Sequence, residues 1–300
     1  MDLLVIGTVA LDDIETPYGT RKDIVGGSAT YFSYAASFFT TVGVVGAVGG
    51  DFPAEYLDLL RSREIDLSGL EVLADKQSFH WAGRYEGSME SAQTLSTDLN
   101  VLENYRPVVP EGSQKTSFAF LANAEPSLQL SVLDQLEGTR FLVCDTMNLW
   151  INNYLDGLKQ VFARVDGIVI NEGEAVMLTG IDNVVAAADA LLEMGPHTVI
   201  IKRGGHGSFL RCREGRFAIP AYPLTAVKDP TGAGDSFAGG FMGYLASRKS
   251  TAFADLKRAM AYGTVVASFD VEDFSLDSFR RIQRCDIESR LGQFEDYVRF

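Results

Sequence analysis

Lys228-Asp229-Pro230-Thr231-Gly232-Ala233-Gly234-Asp235-Ser236-Phe237-Ala238-Gly239-Gly240-Phe241-Met242 begins as a turn and continues as a helix. Pro230 fixes its own φ and biases Asp229 away from the α region. Two glycines bracket Ala233, and from about Asp235 small and apolar residues continue at helical spacing through Ala246. A glycine-rich turn that runs into a helix leaves unpaired N–H groups at the positive end of the helix dipole, which makes an anion site. Asp235 is the unusual member, a carboxylate placed where an anion should bind. As a first-turn acid it would merely complement the dipole. Beside a bound anion it has a chemical use, which is to take a proton from a hydroxyl nucleophile.

The rest of the chain supplies a setting for such a site. Its 300 residues are enough for one large α/β domain or two smaller ones, and 46% hydrophobic content provides a core. A balance of 26 basic against 40 acidic residues, net −14, argues against a nucleic-acid partner. A nucleotide ligand is compatible with that charge, because main-chain N–H groups can hold it. Cys144, Cys212 and Cys285 are odd in number and widely spaced, so no disulfide framework or zinc spacing follows. That favours a reducing cytoplasm. The apolar run at Leu3–Ile6 is too short for a signal peptide, and nothing approaches the roughly 18 apolar residues of a membrane span.

Leu3 to Ile6 reads as a buried strand, Ala29 to Phe39 as a helix opened by Gly26-Gly27-Ser28, and Val42 to Val48 as a second strand. This is the start of a parallel α/β layout. Residues 77–99 break the rhythm: Gln77 to Tyr85 alternates, Glu86-Gly87-Ser88 turns, and Gln93 to Leu99 returns. With residues 11–24 this hairpin forms a small projecting sheet. Arg84 sits on it and reads as a surface charge. Strands then follow at Ser117–Leu121, Phe141–Cys144, Gly167–Ile170 and Thr198–Ile201, with an antiparallel pair at Ser208–Arg211 and Arg216–Ile219. Helical patterns cover Pro126–Leu136, Leu149–Phe162, Glu172–Thr179 and Val184–Met194, then start again at Ser236 and Phe253 and at Ile287–Val298. No repeat or long linker interrupts them, so we expect a single domain over residues 1–300 with a lid at about 11–24 and 77–99.

Two further clusters fall at the ends of strands, where open α/β sheets bind ligands. Asn171-Glu172-Gly173-Glu174 opens a helix, and a helix cap accounts for Asn171 as readily as a metal does. Lys202-Arg203-Gly204-Gly205-His206-Gly207 is a glycine loop whose backbone can approach a ligand, with His206 as a turn residue. His80 and His197 have no metal-ligand spacing. A P-loop is excluded because no Gly-x-x-x-x-Gly-Lys-Ser/Thr occurs, and the first strand lacks the second and third glycines of a dinucleotide fold.

The core from Asp229 to Asp235, Asp-Pro-Thr-Gly-Ala-Gly-Asp, resembles the C-terminal signature of the ribokinase-like (PfkB) carbohydrate kinases, typically Asp-Thr-Thr-Gly-Ala-Gly-Asp, with Pro230 in place of the first Thr. The resemblance implies a three-layer sandwich, a mainly parallel sheet between helices with a small β lid, and an ATP-dependent small-molecule kinase. It implies that Asp235 is the catalytic base and that the N–H groups of Gly232, Ala233 and Gly234 form an anion hole. Asn171 and Glu174 match the family's Asn-x-x-Glu, whose implied role is to organise Mg²⁺ and its waters. Lys202, Gly204, Gly207 and Thr231 are carried over to the ATP side. Asp13, Gly26, Gly27 and Tyr31 are carried over to the substrate side, although Tyr31 stands where an Asn is common. The implied acceptor is a sugar or cyclitol, with a nucleoside as the alternative. Some relatives use a monovalent cation, for which Asp229 and Thr231 are the candidates here. A lid with an apolar outer face would allow a homodimer through the lid. From another class, a sensor that kept the fold without catalysis is weighed down by Asp235, Asn171 and Glu174, which binding alone does not need.

Overall fold

The computed structural model describes residues 1–299. Strand β1 (Leu3–Ile6) is followed by β2 (Ala10–Thr16) and β3 (Gly19–Gly26), then helix α1 (Ser28–Ala36), β4 (Val42–Gly49), α2 (Ala54–Ser62) and β5 (Asp66–Leu73). Next come β6 (Phe79–Arg84), β7 (Gln93–Asp98), β8 (Phe118–Leu121), α3 (Pro126–Leu133) and β9 (Phe141–Cys144). The second half alternates more regularly: α4 (Asn148–Asn153), α5 (Leu155–Phe162), β10 (Gly167–Asn171), α6 (Glu172–Thr179), α7 (Val184–Leu192) and β11 (Thr198–Lys202). It closes with β12 (Ser208–Cys212), β13 (Gly215–Ile219), α8 (Ala233–Arg248), α9 (Phe253–Asp270) and α10 (Arg284–Val298).

Nine strands form one sheet in the order β13-β12-β11-β10-β9-β8-β1-β4-β5. From β11 to β5 every pairing is parallel, while β12 and β13 join antiparallel at one edge. Strands of a parallel sheet are covered on both faces, which is why β1, β8 and β9 are uninterrupted apolar runs. Alternation along β1 shows the two layers directly. Leu3 and Val5 enter one core with residues of α1, α8, α9 and α10, and Leu4 and Ile6 enter the other with residues of α3, α5 and α7.

The second sheet has the order β3-β2-β6-β7. It is mixed: β2 runs parallel to β6, and the other pairs are antiparallel. It occupies residues 10–26 and 79–98, close to the segments that break the βα rhythm. Ile14 and Tyr85 from this sheet pack with Phe274, which lies beyond α9, and partly cover Ile24 and Trp81.

Some boundaries differ from the sequence reading. The expected helix Leu149–Phe162 is two, because Tyr154 leaves the α region at φ −136°, ψ 33° and separates α4 from α5. Helix α2 and strand β5 do not follow from the apolar pattern; β5 is an edge strand, largely uncovered, so its side chains carry little hydrophobic signal. Among the described residues all three cysteines are free, and no single helix is long and apolar enough to cross a membrane.

Candidate active site

The turn that opens α8 is built around Asp229. This buried carboxylate accepts the N–H of Thr231 at 2.9 Å on Oδ1 and that of Ser275 at 3.4 Å on Oδ2. Gly232 then takes φ +80°, and a Cβ there would lie 2.4 Å from the ring of Tyr31. Only glycine satisfies both the backbone angle and the contact. Helix α8 starts at Ala233 with its N-terminus at the carboxyl ends of the parallel strands. The N–H of Ala233 donates to Pro230 O at 3.2 Å, whereas those of Gly232 and Gly234 find no backbone acceptor among the described residues. Two of the three expected anion-hole donors are therefore free, and the third is weakly engaged.

Asp235, in the first turn of α8, faces a compact charge cluster. Lys202 at the end of β11 places Nζ 3.0 Å from Asp145 Oδ2, just past β9. The same Nζ would lie 2.9 Å from a Cβ on Gly234, so the ammonium stands at the mouth of the anion turn. Burial raises Asp235 to about 7, Asp145's charge adds to the rise, and Lys202 opposes it. Glu174 is likewise raised to about 7, first by burial and then by Asp145, with Lys202 again opposing. Burial works against the Lys202 ammonium, but the carboxylates of Asp145, Glu174 and Asp235 together hold it above its ordinary value. Three acids thus share one cation, and the cluster is suited to receive further positive charge.

Asn171 and Glu174 spend part of their capacity on each other. Glu174 N donates to Asn171 Oδ1 and Asn171 N donates to Glu174 Oε2, each at 2.8 Å. This is a capping box at the start of α6, worth on the order of 1 kcal/mol. It leaves the Glu174 carboxyl buried beside Asp145 and Lys202, so the cap also aims an acid into the cleft. The loop after β11 takes positive φ at Gly204 (+51°) and Gly207 (+89°), and its Gly204–His206 segment is a single 3₁₀ turn.

On the substrate side one of the expected residues stands apart from the others. Asp13, the expected hydroxyl ligand, turns away from the cleft: its Oδ1 accepts the N–H of Asp23 at 2.8 Å and lies 3.5 Å from His80 Nε2. Successive residues of a strand point to opposite faces, so the neighbour of Asp13 faces inward. Asp12 is that residue, buried with its carboxylate against Gly26, where a Cβ would sit 1.8 Å from Oδ2. Burial lifts Asp12 to about 8, and the charge of Asp229 adds to this; the amide of Gly27 partly offsets them. Gly27, at φ +94°, lies against Thr8 O, where a Cβ would come within 2.5 Å. Tyr31 is brought to the site but as a floor: its ring is buried beneath Gly232 and its hydroxyl makes no hydrogen bond. Arg84 pairs with Glu15 on the adjacent strand at 2.9 Å rather than reaching the cleft.

Asp12, Asp145, Tyr85 and Asp270 were not singled out in the sequence. Tyr85 shares a hydrogen bond of 3.3 Å with the hydroxyl of Thr231, linking the small sheet to the anion turn. Asp270, at the end of α9, is buried, and among the described residues neither carboxylate oxygen has a hydrogen-bond partner. Burial, then the charge of Asp229, pushes its carboxyl well above the usual range. The alternation of Ala10, Asp12 and Ile14 was a readable signal for Asp12. Asp145, Tyr85 and Asp270 had none, since their meaning comes from partners remote in the chain.

With this geometry in place, comparisons with known proteins are informative. The family described as pfkB family carbohydrate kinase matches residues 3–280. The cytidine kinase of Thermococcus kodakarensis is 34% identical over 259 residues, 83% of this chain and 90% of that protein. The nucleoside kinase of Methanothermobacter thermautotrophicus is 28% identical over 91% of this chain and 90% of its own length. Among solved structures, a putative ribokinase II from E. coli in complex with ATP and Mg²⁺ superposes with a TM-score of 0.79 at 19% identity, covering 97% of this chain and 99% of the other.

Proposed function

This chain belongs to the pfkB family of carbohydrate kinases, ATP-dependent phosphotransferases with hydroxyl acceptors, and from that premise we propose that it phosphorylates a nucleoside, with Asp235 as the base. The observation that carries the reading is the convergence of Asp235, Lys202, Asp145 and Glu174 on the N-terminus of α8. A carboxyl raised to about 7 is matched to taking a proton from an alcohol near neutral pH. The acid-rich cluster, with one ammonium among three carboxylates, fits Mg²⁺ accompanying ATP, and Asn171 and Glu174 would organise it through water. Bound Mg²⁺ supplies neutralisation of phosphate charge. The protein's own part is positioning and electrostatics, as in phosphoryl transfer generally.

Lys202 approaches the phosphates, the amides of the 232–234 turn receive the equatorial oxygens of the moving phosphoryl group, and Asp235 holds the acceptor hydroxyl in line. Asp12 and the glycines beside it take the other hydroxyls, the role first expected of Asp13. We treat the β3-β2-β6-β7 sheet as a lid over this cleft within one domain. Its face that carries Asp12 also carries Ile14, Ile24 and Trp81, a wall suited to a nucleobase. That wall, and the names of the two relatives aligned over most of their length, favour a nucleoside over a free sugar or cyclitol.

A monovalent cation also fits. Asp270 has two orphaned oxygens beside Asp229, and a buried carboxylate without a partner is costly unless a cation meets it. Asp229, Thr231 and Asp270 would hold it. We place the protein in the cytoplasm, where ATP is abundant and three free thiols persist. Pairing of two copies through the lid is supported by β7, an exposed edge strand.

The test is an ADP-release assay with Mg²⁺–ATP across cytidine, inosine, adenosine, free pentoses, hexoses and cyclitols. Turnover with nucleosides and none with free sugars is expected. Turnover with free sugars alone returns the acceptor to the carbohydrate class, and no turnover with retained ligand-induced thermal shifts indicates a binding protein.

A further inference from the structure

Asp13, turned away from the cleft, faces two other groups. His80 Nε2 lies 3.5 Å from Asp13 Oδ1 and 3.7 Å from Asp23 Oδ1. One ligating atom from each of the three lies within 4.8 Å of the others. The residues come from three strands or their edges, Asp13 on β2, Asp23 on β3 and His80 on β6, which the order β3-β2-β6 sets side by side. Asp23 holds a left-handed backbone, φ +51°, that turns its N–H onto Asp13.

His80 stands at ion-pairing distance from both carboxylates at once. Both His80 separations exceed a hydrogen bond, so the imidazole closes one with neither carboxylate although it faces both. Donors around a tetrahedral zinc, each about 2.0–2.2 Å from the metal, stand roughly 3.3–3.6 Å from one another. The two His80 separations, 3.5 and 3.7 Å, are close to that spacing, and the third pair lies within 4.8 Å. An imidazole with two carboxylates suits a divalent transition metal better than Mg²⁺ or Ca²⁺, which prefer all-oxygen surroundings.

We propose that Asp13, Asp23 and His80 form a binding site for a divalent transition-metal ion such as Zn²⁺, with water completing its coordination. The ion would tie together the three lid strands next to Asp12, the residue that points the other way into the cleft. The site is independent of which acceptor the kinase uses.

The experiment takes the full chain, stripped with EDTA and exchanged into chelator-free buffer, and titrates it with ZnCl₂ by calorimetry while thermal unfolding is followed in parallel. One Zn²⁺ per chain and a raised Tm are expected. His80→Gln, and Asp23→Asn, which tolerates the left-handed backbone, should each weaken binding at least tenfold and abolish the Tm rise. Both should keep the turnover measured with Mg²⁺–ATP in the absence of Zn²⁺. Cys285→Ser should bind as the wild type does, which separates the site from the exposed thiol. No saturable binding at micromolar Zn²⁺, unchanged affinity in His80→Gln, or loss of binding in Cys285→Ser would overturn the proposal.

Discussion

The two walls of the cleft are made differently. One wall is the carboxyl edge of the nine-stranded sheet and the start of α8, where Asp145, Asn171, Lys202 and Asp235 sit at the ends of elements buried on both sides. The other is the lid, a mixed four-stranded sheet whose outer strand β7 is exposed along its whole length. The first wall holds charges that must be placed to a fraction of an ångström. The second holds hydrophobic contacts that tolerate movement. Under the proposed function this separation divides phosphoryl transfer from acceptor choice, so substitutions in the first wall should lower kcat and those in the second should raise the acceptor KM.

The largest effect is expected at Asp235. Asp235→Asn keeps the shape and the dipole environment but removes the base, so kcat should fall by about 10²–10⁴-fold. ATP affinity, measured by calorimetry, should remain near the wild-type value. Turnover within tenfold of wild type would break the distinction between the walls at its strongest point.

Gly232→Ala comes next. A side chain at φ +80° costs roughly 1–2 kcal/mol, and the new Cβ collides with the Tyr31 ring. The turn must shift, which misplaces the amides that receive the phosphoryl oxygens. We expect kcat to drop about 10-fold to 100-fold, since an oxyanion-type donor contributes roughly 10²–10³ when removed outright. Tm should fall by about 2–4 °C for each kcal/mol of strain. A drop in acceptor affinity alone would mean the turn serves the substrate instead.

The lid offers the contrast. Trp81 packs with Ile14, Tyr85 and Phe274 and is partly exposed on the face that carries Asp12. Stacking a base on an aromatic ring contributes about 1–3 kcal/mol. Trp81→Ala should therefore raise KM for a nucleoside by roughly 5-fold to 100-fold while kcat and the KM for ATP stay near wild type. An unchanged nucleoside KM would show that the ring does not touch a base.

How much of this was legible beforehand follows the same division. The run from Lys228 to Met242 announces its turn, helix and acid locally, and β1, β8, β9, β10 and β11 announce themselves by apolar runs that burial on both faces requires. The second sheet was legible as an interruption at 77–99, but not which of Asp12 and Asp13 is buried, because a one-residue shift along a strand exchanges the two faces. Nothing local marks Asp145 as a partner of Lys202, and only the fold brings that residue, 57 positions away, to 3.0 Å from it. The Asp13–Asp23–His80 group has no linear spacing to read, since adjacent strands assemble it.

That remote pairing yields the smallest and most discriminating prediction. Asp235 acts as a base only when deprotonated, so kcat/KM should fall as pH drops through about 7 in the wild type. The negative charge of Asp145 raises the Asp235 carboxyl, and the positive charge of Lys202 lowers it. Asp145→Asn removes the first influence and leaves Lys202 shared only between Asp235 and Glu174, so both changes stabilise the Asp235 carboxylate and the acidic limb should move to lower pH. Lys202→Met removes the opposing charge, so its limb should move to higher pH. It should also raise the KM for ATP if the ammonium meets the phosphates. General damage to the cleft lowers activity at every pH and moves neither limb, so limbs shifting in opposite directions report the two charges acting on a carboxyl of the cluster, Asp235 or Glu174. If both variants lost activity with unmoved limbs, the cluster would be structural scaffolding, and the wall that appears built for chemistry would owe its rate to the α8 amides alone.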